Sequence, residues 1–156
     1  MIQDQAGVST RTLARAQNVT SQIFAASGIE LQWTQTPIEG RRVRLTIVSH
    51  RLKNLPKHAV GYATLTPPGG ENYAIVSLPA VEEVAQSEDV ALEIVLGASL
   101  AHEIGHVLLR SSAHSPAGVM LPRFTRRELR LAALGRLLFS TQEAERLRAA
   151  IAPPEN

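Results

Sequence analysis

Two histidines and a glutamate fall within five residues of one another, His102-Glu103-Ile104-Gly105-His106. In an α-helix, positions four apart are separated by about 6 Å along the axis and about 40° around it. The two imidazoles therefore share a face and can converge on one tetrahedral metal at about 2.0–2.1 Å from nitrogen. Glu103 projects beside His102, within reach of a metal-bound water whose proton it can take without itself ligating. Zinc in such a setting polarises a carbonyl and brings the pKa of its water toward ~7. That is the chemistry of amide hydrolysis, and it lacks only a third ligand. A shuffled chain of this composition would show the pattern about once in a hundred, so the five residues carry information. The bland alternative is a pair of satisfied core histidines beside a salt-bridged glutamate. Burying those groups without a metal would be costly.

Two residues compete for the third ligand position. Ser111 and Ser112 break the helical period, so the chain can turn after the helix and fold back to present His114. Pro116 and Gly118 then impose a bend that brings Met120 beneath the metal, although a methionine there can also be a simple core filler. The rival is Glu128 on a downstream helix, as in gluzincin-type sites. Thr125, three residues earlier, makes Glu128 a capping-box partner instead.

The motif needs a helix to hold it and a scaffold around that helix. Val90 to Leu109 is apolar nearly all round, which places it centrally in a fold. Ser87 is expected to cap it, with Glu88 and Asp89 in the first turn where negative charge suits the helix dipole. Upstream, Ser9 to Ala26 shows helical spacing of Leu13, Ala16, Ile23 and Phe24, with Gly28 as its stop. Ile29 to Thr34 and Val43 to Ile47 alternate as half-buried strands, separated by a turn through Pro37 and Gly40. A polar stretch, Ser49 to His58, leads to a third strand, Val60 to Thr66. Pro67-Pro68-Gly69-Gly70 is turn punctuation, and a fourth strand, Asn72 to Leu78, is expected to pair back across it. Capping boxes at Thr125/Glu128 and Ser140/Glu143 open two C-terminal helices, one running to about Leu138 and one ending before Pro153-Pro154. The order is that of an α+β fold in one domain, residues 1–156.

The segment His102-Glu-Ile-Gly-His-Val-Leu-Leu-Arg-Ser-Ser-Ala-His-Ser-Pro-Ala-Gly-Val-Met120 resembles the active site of the metzincin zinc metallopeptidases. Those proteins pair a His-Glu-x-x-His helix with a third histidine after a turn and then a methionine turn. The resemblance implies His102, His106 and His114 as zinc ligands, Glu103 as general base and Met120 as the Met-turn residue. Ser115, following the third histidine, is similar to the matrixin branch. A zincin-like fold is implied as well: an N-terminal helix, a small twisted and mostly parallel sheet with an antiparallel edge strand, the active-site helix, then C-terminal helices. In this family the edge strand binds substrate as an added antiparallel strand, which by position points to Gly61, Tyr62, Ala63 and Thr64. The chain departs from the family pattern in spacing. Its third histidine follows the second by eight residues where six is usual, Leu109 stands where a helix-ending glycine is found, and Ser112 occupies the usual histidine position. Pro122 replaces a tyrosine carried by some members.

The resemblance implies a zinc-dependent endopeptidase acting on a peptide or protein substrate. The alternative is a non-catalytic, zinc-stabilised binding module of the same fold; retention of Glu103 speaks for the enzyme, since a purely structural site needs no base. A non-peptide amide is a further possible substrate.

Composition narrows the remaining choices. The net charge of +2, with both signs spread along the chain, gives little reason to expect a nucleic-acid partner. Without cysteine there is no disulfide, thiolate zinc site or cysteine nucleophile. Phosphate-loop, dinucleotide and nucleophile-elbow patterns are missing. Val90 to Leu109 approaches the length of a membrane span, but Glu93, His102, Glu103 and His106 would be costly in lipid, so no span is expected. Met1 to Gln5 is polar and shows no signal-peptide core. A chain trimmed of such a signal, and hence secreted or periplasmic, would read the same way, so compartment stays open, as does oligomeric state. His50 and His58, flanking Arg51, Lys53 and Lys57, are read as solvated loop residues in preference to a second metal site. Arg126, Arg127, Arg130 and Arg136 are read as the solvated face of a helix whose other face is Leu129, Leu131, Leu134 and Leu138.

Overall fold

The computed structural model describes residues 1–36, 42–65 and 72–152. These form β1 (Ile2–Asp4), α1 (Thr10–Ala25), β2 (Arg44–Val48), β3 (Gly61–Ala63), β4 (Tyr73–Ser77), α2 (Leu78–Glu88), α3 (Leu92–Leu109), α4 (Arg126–Ala133) and α5 (Thr141–Ile151). The fold is α+β. Its sheet runs in the order β1-β2-β4-β3, with the first two pairings parallel and β3 antiparallel on the edge. Leu45 and Ile47 of β2 and Ala74 and Val76 of β4 are buried at alternate positions, as a sheet with one covered face requires. They join Ile23 and Phe24 of α1 and Leu96 and Leu100 of α3 in one core.

Helix α3 is central, touching every other helix as well as β3 and β4. By length and hydropathy it is apolar enough to cross a membrane, and 78% of that window is buried inside this fold. Its closest neighbour is α1. A Cβ on Gly97 would lie 2.6 Å from the Val19 Cβ and 2.7 Å from the Ala16 carbonyl oxygen, so only glycine permits this helix spacing. Thr20 bridges the same contact by donating to the carbonyls of Ala16 and Gly97, each at 2.9 Å.

The expected start of the active-site helix requires correction. Ser87 does not cap it. Ser87 lies in the last turn of α2, where its hydroxyl donates to Val84 O. Helix α2 begins at Ser77, whose side chain accepts from Ala80 N–H with Pro79 in the first turn, and stops at Asp89 in the left-handed conformation. Ala91 then precedes α3 without a side-chain cap, leaving Glu93 as the acid of the first turn. Apolar residues run through both helices, so the break is set by backbone conformation at Asp89 and not by hydrophobic spacing.

Ile29 to Thr34 forms no ladder. Its alternation is real, with Ile29 buried and Glu30 and Gln32 exposed. The segment packs through Leu31 and Trp33 against the core, and Trp33 Nε1 donates to Ser21 Oγ at 2.8 Å. A single backbone bond, Ile2 N–H to Thr34 O, joins it to β1, which takes the place beside β2. Alternation reports which side is buried, not which strand is the partner. The third strand is shorter than expected, Gly61–Ala63, and Thr66 lies outside the described residues, as do the turns at Pro37/Gly40 and Pro67–Gly70 and the Pro153-Pro154 stop. Both C-terminal capping boxes are formed. Helix α4 ends at Ala133 instead of near Leu138, because Gly135 turns the chain at φ +66. Leu134 and Leu138 are consequently exposed, whereas Leu129 is buried.

Candidate metal centre

Helix geometry brings His102 and His106 onto one face, and tertiary contacts aim their rings. Nδ1–H of His102 donates to Val119 O at 2.8 Å, and Nδ1–H of His106 donates to Ser111 O at 2.6 Å. A carbonyl oxygen only accepts, so both rings carry their hydrogen on Nδ1 and present a lone pair at Nε2. These two Nε2 atoms lie 2.9 Å apart. Burial lowers the His102 pKa to about 4, against the opposing effect of the Val119 bond, and burial also lowers that of His106. Neither ring is therefore disposed to supply a proton between them. Two facing lone pairs at this separation fit a shared cation, within a few tenths of an ångström of the ~3.3 Å edge of a tetrahedral site with ~2.0–2.1 Å bonds.

His114 completes the cluster. Its ring centroid is 5.3 Å from that of His102 and 5.0 Å from that of His106. One ligand atom from each of the three histidines lies within 4.8 Å of the others, so the three can hold a metal ion. His102 and His106 are buried and His114 is exposed, which gives the site a protein floor and an open side. Among the described residues this is the one such group; His50 and His58 are exposed and outside it. Glu128 is not brought to the cluster: its Oε2 accepts from Thr125 N–H at 3.1 Å within the capping box.

The loop that carries His114 is fixed by contacts to α5 and to Met120 that the spacing of the motif does not reveal. Helix α3 continues through Leu109, and the left-handed stop falls on Arg110 at φ +49. Arg146 of α5 donates to Leu109 O, satisfying one of the last carbonyls. Ser115, next to His114, donates its N–H to Met120 O and its hydroxyl to Glu143 Oε1. The other oxygen of buried Glu143 accepts from Ser140 N–H at 2.8 Å. Glu143, read from sequence only as a capping residue, thus ties the His114 loop to α5. Met120 lies fully buried against α3: a Cβ on Gly105 would be 2.6 Å from its sulfur and 3.0 Å from Phe139. No protein-family model, curated protein or solved structure matches this chain. The site therefore has to be read from its own geometry.

Glu103 is 3% exposed, and its Oε2 is buried without a hydrogen-bond partner among the described residues. Burial pushes its pKa up to about 8. A cation at the neighbouring histidines would oppose that shift by favouring the carboxylate. A buried, unpartnered carboxyl beside three imidazoles suits a metal and a polar ligand better than it suits an apolar core.

A cleft of about 590 Å³ opens over these residues, walled by β3, the loop before it, α2 and residues 121–124. Edge strand β3 borders the cleft. Val60 O accepts from Ser77 N–H and Thr64 N–H donates to Tyr73 O. In an antiparallel ladder hydrogen-bonded positions alternate, so Val60, Tyr62 and Thr64 face β4 with their backbone groups. Gly61 and Ala63 direct theirs outward. Of the four strand residues expected to bind substrate, these two turn their N–H and C=O groups away from β4.

Proposed function

We propose that this chain is a zinc-dependent endopeptidase of a metzincin-like, zincin type, with His102, His106 and His114 as ligands and Glu103 as general base. The observation that carries the reading is the pair of Nε2 lone pairs 2.9 Å apart, both oriented by backbone carbonyls, beside an unpartnered buried glutamate. Orientation of metal-binding histidines through the second ring nitrogen is the usual arrangement in such sites. Zinc, when bound, supplies a Lewis acid for the scissile carbonyl and lowers the pKa of a water molecule.

The chain's own residues do the rest. Glu103 takes the proton of the attacking water and passes it to the leaving amine nitrogen. The outward backbone groups of Gly61 and Ala63 hold an extended peptide as an added strand, fixing its carbonyl over the histidine cluster. Met120 and Phe139 pack beneath the helix and keep its floor rigid. The cluster has three protein ligands. A purely structural zinc site would be closed by four, so the open side favours catalysis over a zinc-stabilised binding module.

The test is incubation of the zinc-loaded chain with denatured casein, with and without a chelator, alongside Glu103→Gln. Chelator-sensitive cleavage that disappears in Glu103→Gln while zinc stays bound is the expected result. Undiminished cleavage by that variant removes Glu103 as the base, and no cleavage by the wild-type chain removes the peptidase reading.

A further inference from the structure

The charged groups around the cleft are unbalanced. Arg51, Lys57, Glu83 and Arg123 line it together with the metal-binding residues. Glu83 is already engaged, since its carboxylate pairs with Arg51. Lys57 and Arg123 are both exposed, and neither has an ion pair or hydrogen bond among the described residues. They come from two segments far apart in the chain. Lys57 belongs to the loop feeding β3, four residues before Gly61, a span of at most about 14 Å. Arg123 stands between Pro122 and Phe124, and the Phe124 ring meets the His102 ring edge-on at a centroid distance of 5.8 Å.

We infer that the cleft selects acidic peptides, with aspartate or glutamate placed on the C-terminal side of the scissile bond. This rests on the peptidase reading for the word scissile, and on charge complementarity for the rest. A peptide added antiparallel to β3 runs so that its C-terminal part lies beside the start of that strand. There it approaches Lys57, and Arg123 lines the same cleft. Two unpaired cations on a partly enclosed surface favour carboxylates and reject lysine or arginine at the same positions. Hydrophobic contact alone would not distinguish glutamate from glutamine. These two charges do.

The experiment uses two fluorescein-labelled decapeptides of identical sequence except that one carries glutamates where the other carries glutamines. Binding is measured by anisotropy on the full, zinc-loaded Glu103→Gln chain, so that no cleavage intervenes. The acidic peptide is expected to bind about three- to tenfold more tightly at low ionic strength, the effect of two exposed ion pairs, and to lose that advantage in 0.5 M salt. Lys57→Glu combined with Arg123→Glu should abolish or reverse the preference; both residues are exposed, so the fold is retained. Equal binding of the two peptides, binding of neither, or a preference that survives the double reversal overturns the inference. Sequencing the fragments of denatured casein left by the wild-type chain gives the second arm, with acidic residues expected after the cut. Acidic preference in binding without any cleavage would sink the peptidase reading alone. Cleavage without acidic preference would sink this inference alone.

Discussion

Gly61 lies directly against Glu103: a Cβ on the glycine would sit 2.9 Å from Oε1 and 3.1 Å from Cδ of the glutamate. The edge strand and the Glu103 carboxylate are thus in contact, with no side chain between them. The same Cβ would be 2.5 Å from Ile75 O in the neighbouring strand. A side chain on residue 61 would press on both the β4 backbone and the glutamate, so the edge strand and Glu103 must both shift. Gly61→Ala is expected to displace Glu103, to cost about 1–3 kcal/mol by overpacking, and to reduce hydrolysis while leaving zinc affinity near its wild-type value. Thermal unfolding together with a zinc titration checks this; wild-type activity in the variant would mean that the contact is irrelevant to the carboxylate.

Zinc binding should stabilise the folded chain, because the histidine cluster exists only in it. At a free zinc concentration a hundredfold above the dissociation constant, linkage gives about 2.7 kcal/mol, or about 5–10 °C in the unfolding midpoint for a chain of this size. A chelator should reverse the shift. His102→Ala and His106→Ala should each remove most of it, read by calorimetry with and without zinc. A midpoint indifferent to zinc would contradict the site.

His114 differs from the other two histidines of the cluster, which hold backbone carbonyls through Nδ1. Its position depends on the neighbouring Ser115 and on Glu143. Ser115→Ala removes this tie but leaves the α5 capping box in place. It is expected to weaken zinc binding about 10–100-fold, the usual effect of losing an outer partner, with little change in metal-free stability. Glu143→Ala should weaken zinc similarly and also lose about 1 kcal/mol of stability through the cap. Competition against a chromophoric chelator measures both. Unaltered affinity in Ser115→Ala would show that the loop holds His114 without this bond.

One acid-dependent contribution to stability is placed far from the metal. Glu93, in the first turn of α3, has its pKa lowered by its own backbone N–H and by Arg15, whose Nη1 is 3.0 Å from Oε1. A depressed folded-state pKa gives stability that is present above the unfolded value of about 4.3 and is lost as pH falls through the folded value. Arg15→Ala should therefore destabilise the chain at neutral pH by about 0.2–1 kcal/mol, the range for an exposed pair. The gap from wild type should close as pH falls through the lowered folded-state value. Urea unfolding at several pH values provides the check, and a gap that persisted in acid would point to lost packing instead.

Reading along the chain reached the local features and stopped at the long-range ones. The helix from Ser9 and the capping boxes at Thr125 and Ser140 are visible because each depends on neighbours a few residues away. Strand β1 was missed. It is three residues long, too short for a period to show, and exists through pairing with β2 more than forty positions on. Helix α2 has no counterpart among the expected elements, which leave residues 79–86 unassigned between the fourth strand and the Ser87 cap, although Ser77 with Pro79 is an available start signal.

Helix pitch converts spacing into direction, so His102, Glu103 and His106 share one helix with both rings on one side from their spacing alone. Tertiary contact sets how those rings are turned, by bringing the carbonyls of Ser111 and Val119 to their far nitrogens. It also decided that His114 joins them while Glu128 does not, and that Glu143 and Gly61 belong to the site. Contacts between residues distant in the chain depend on how loops close and surfaces pack, and no local period records that.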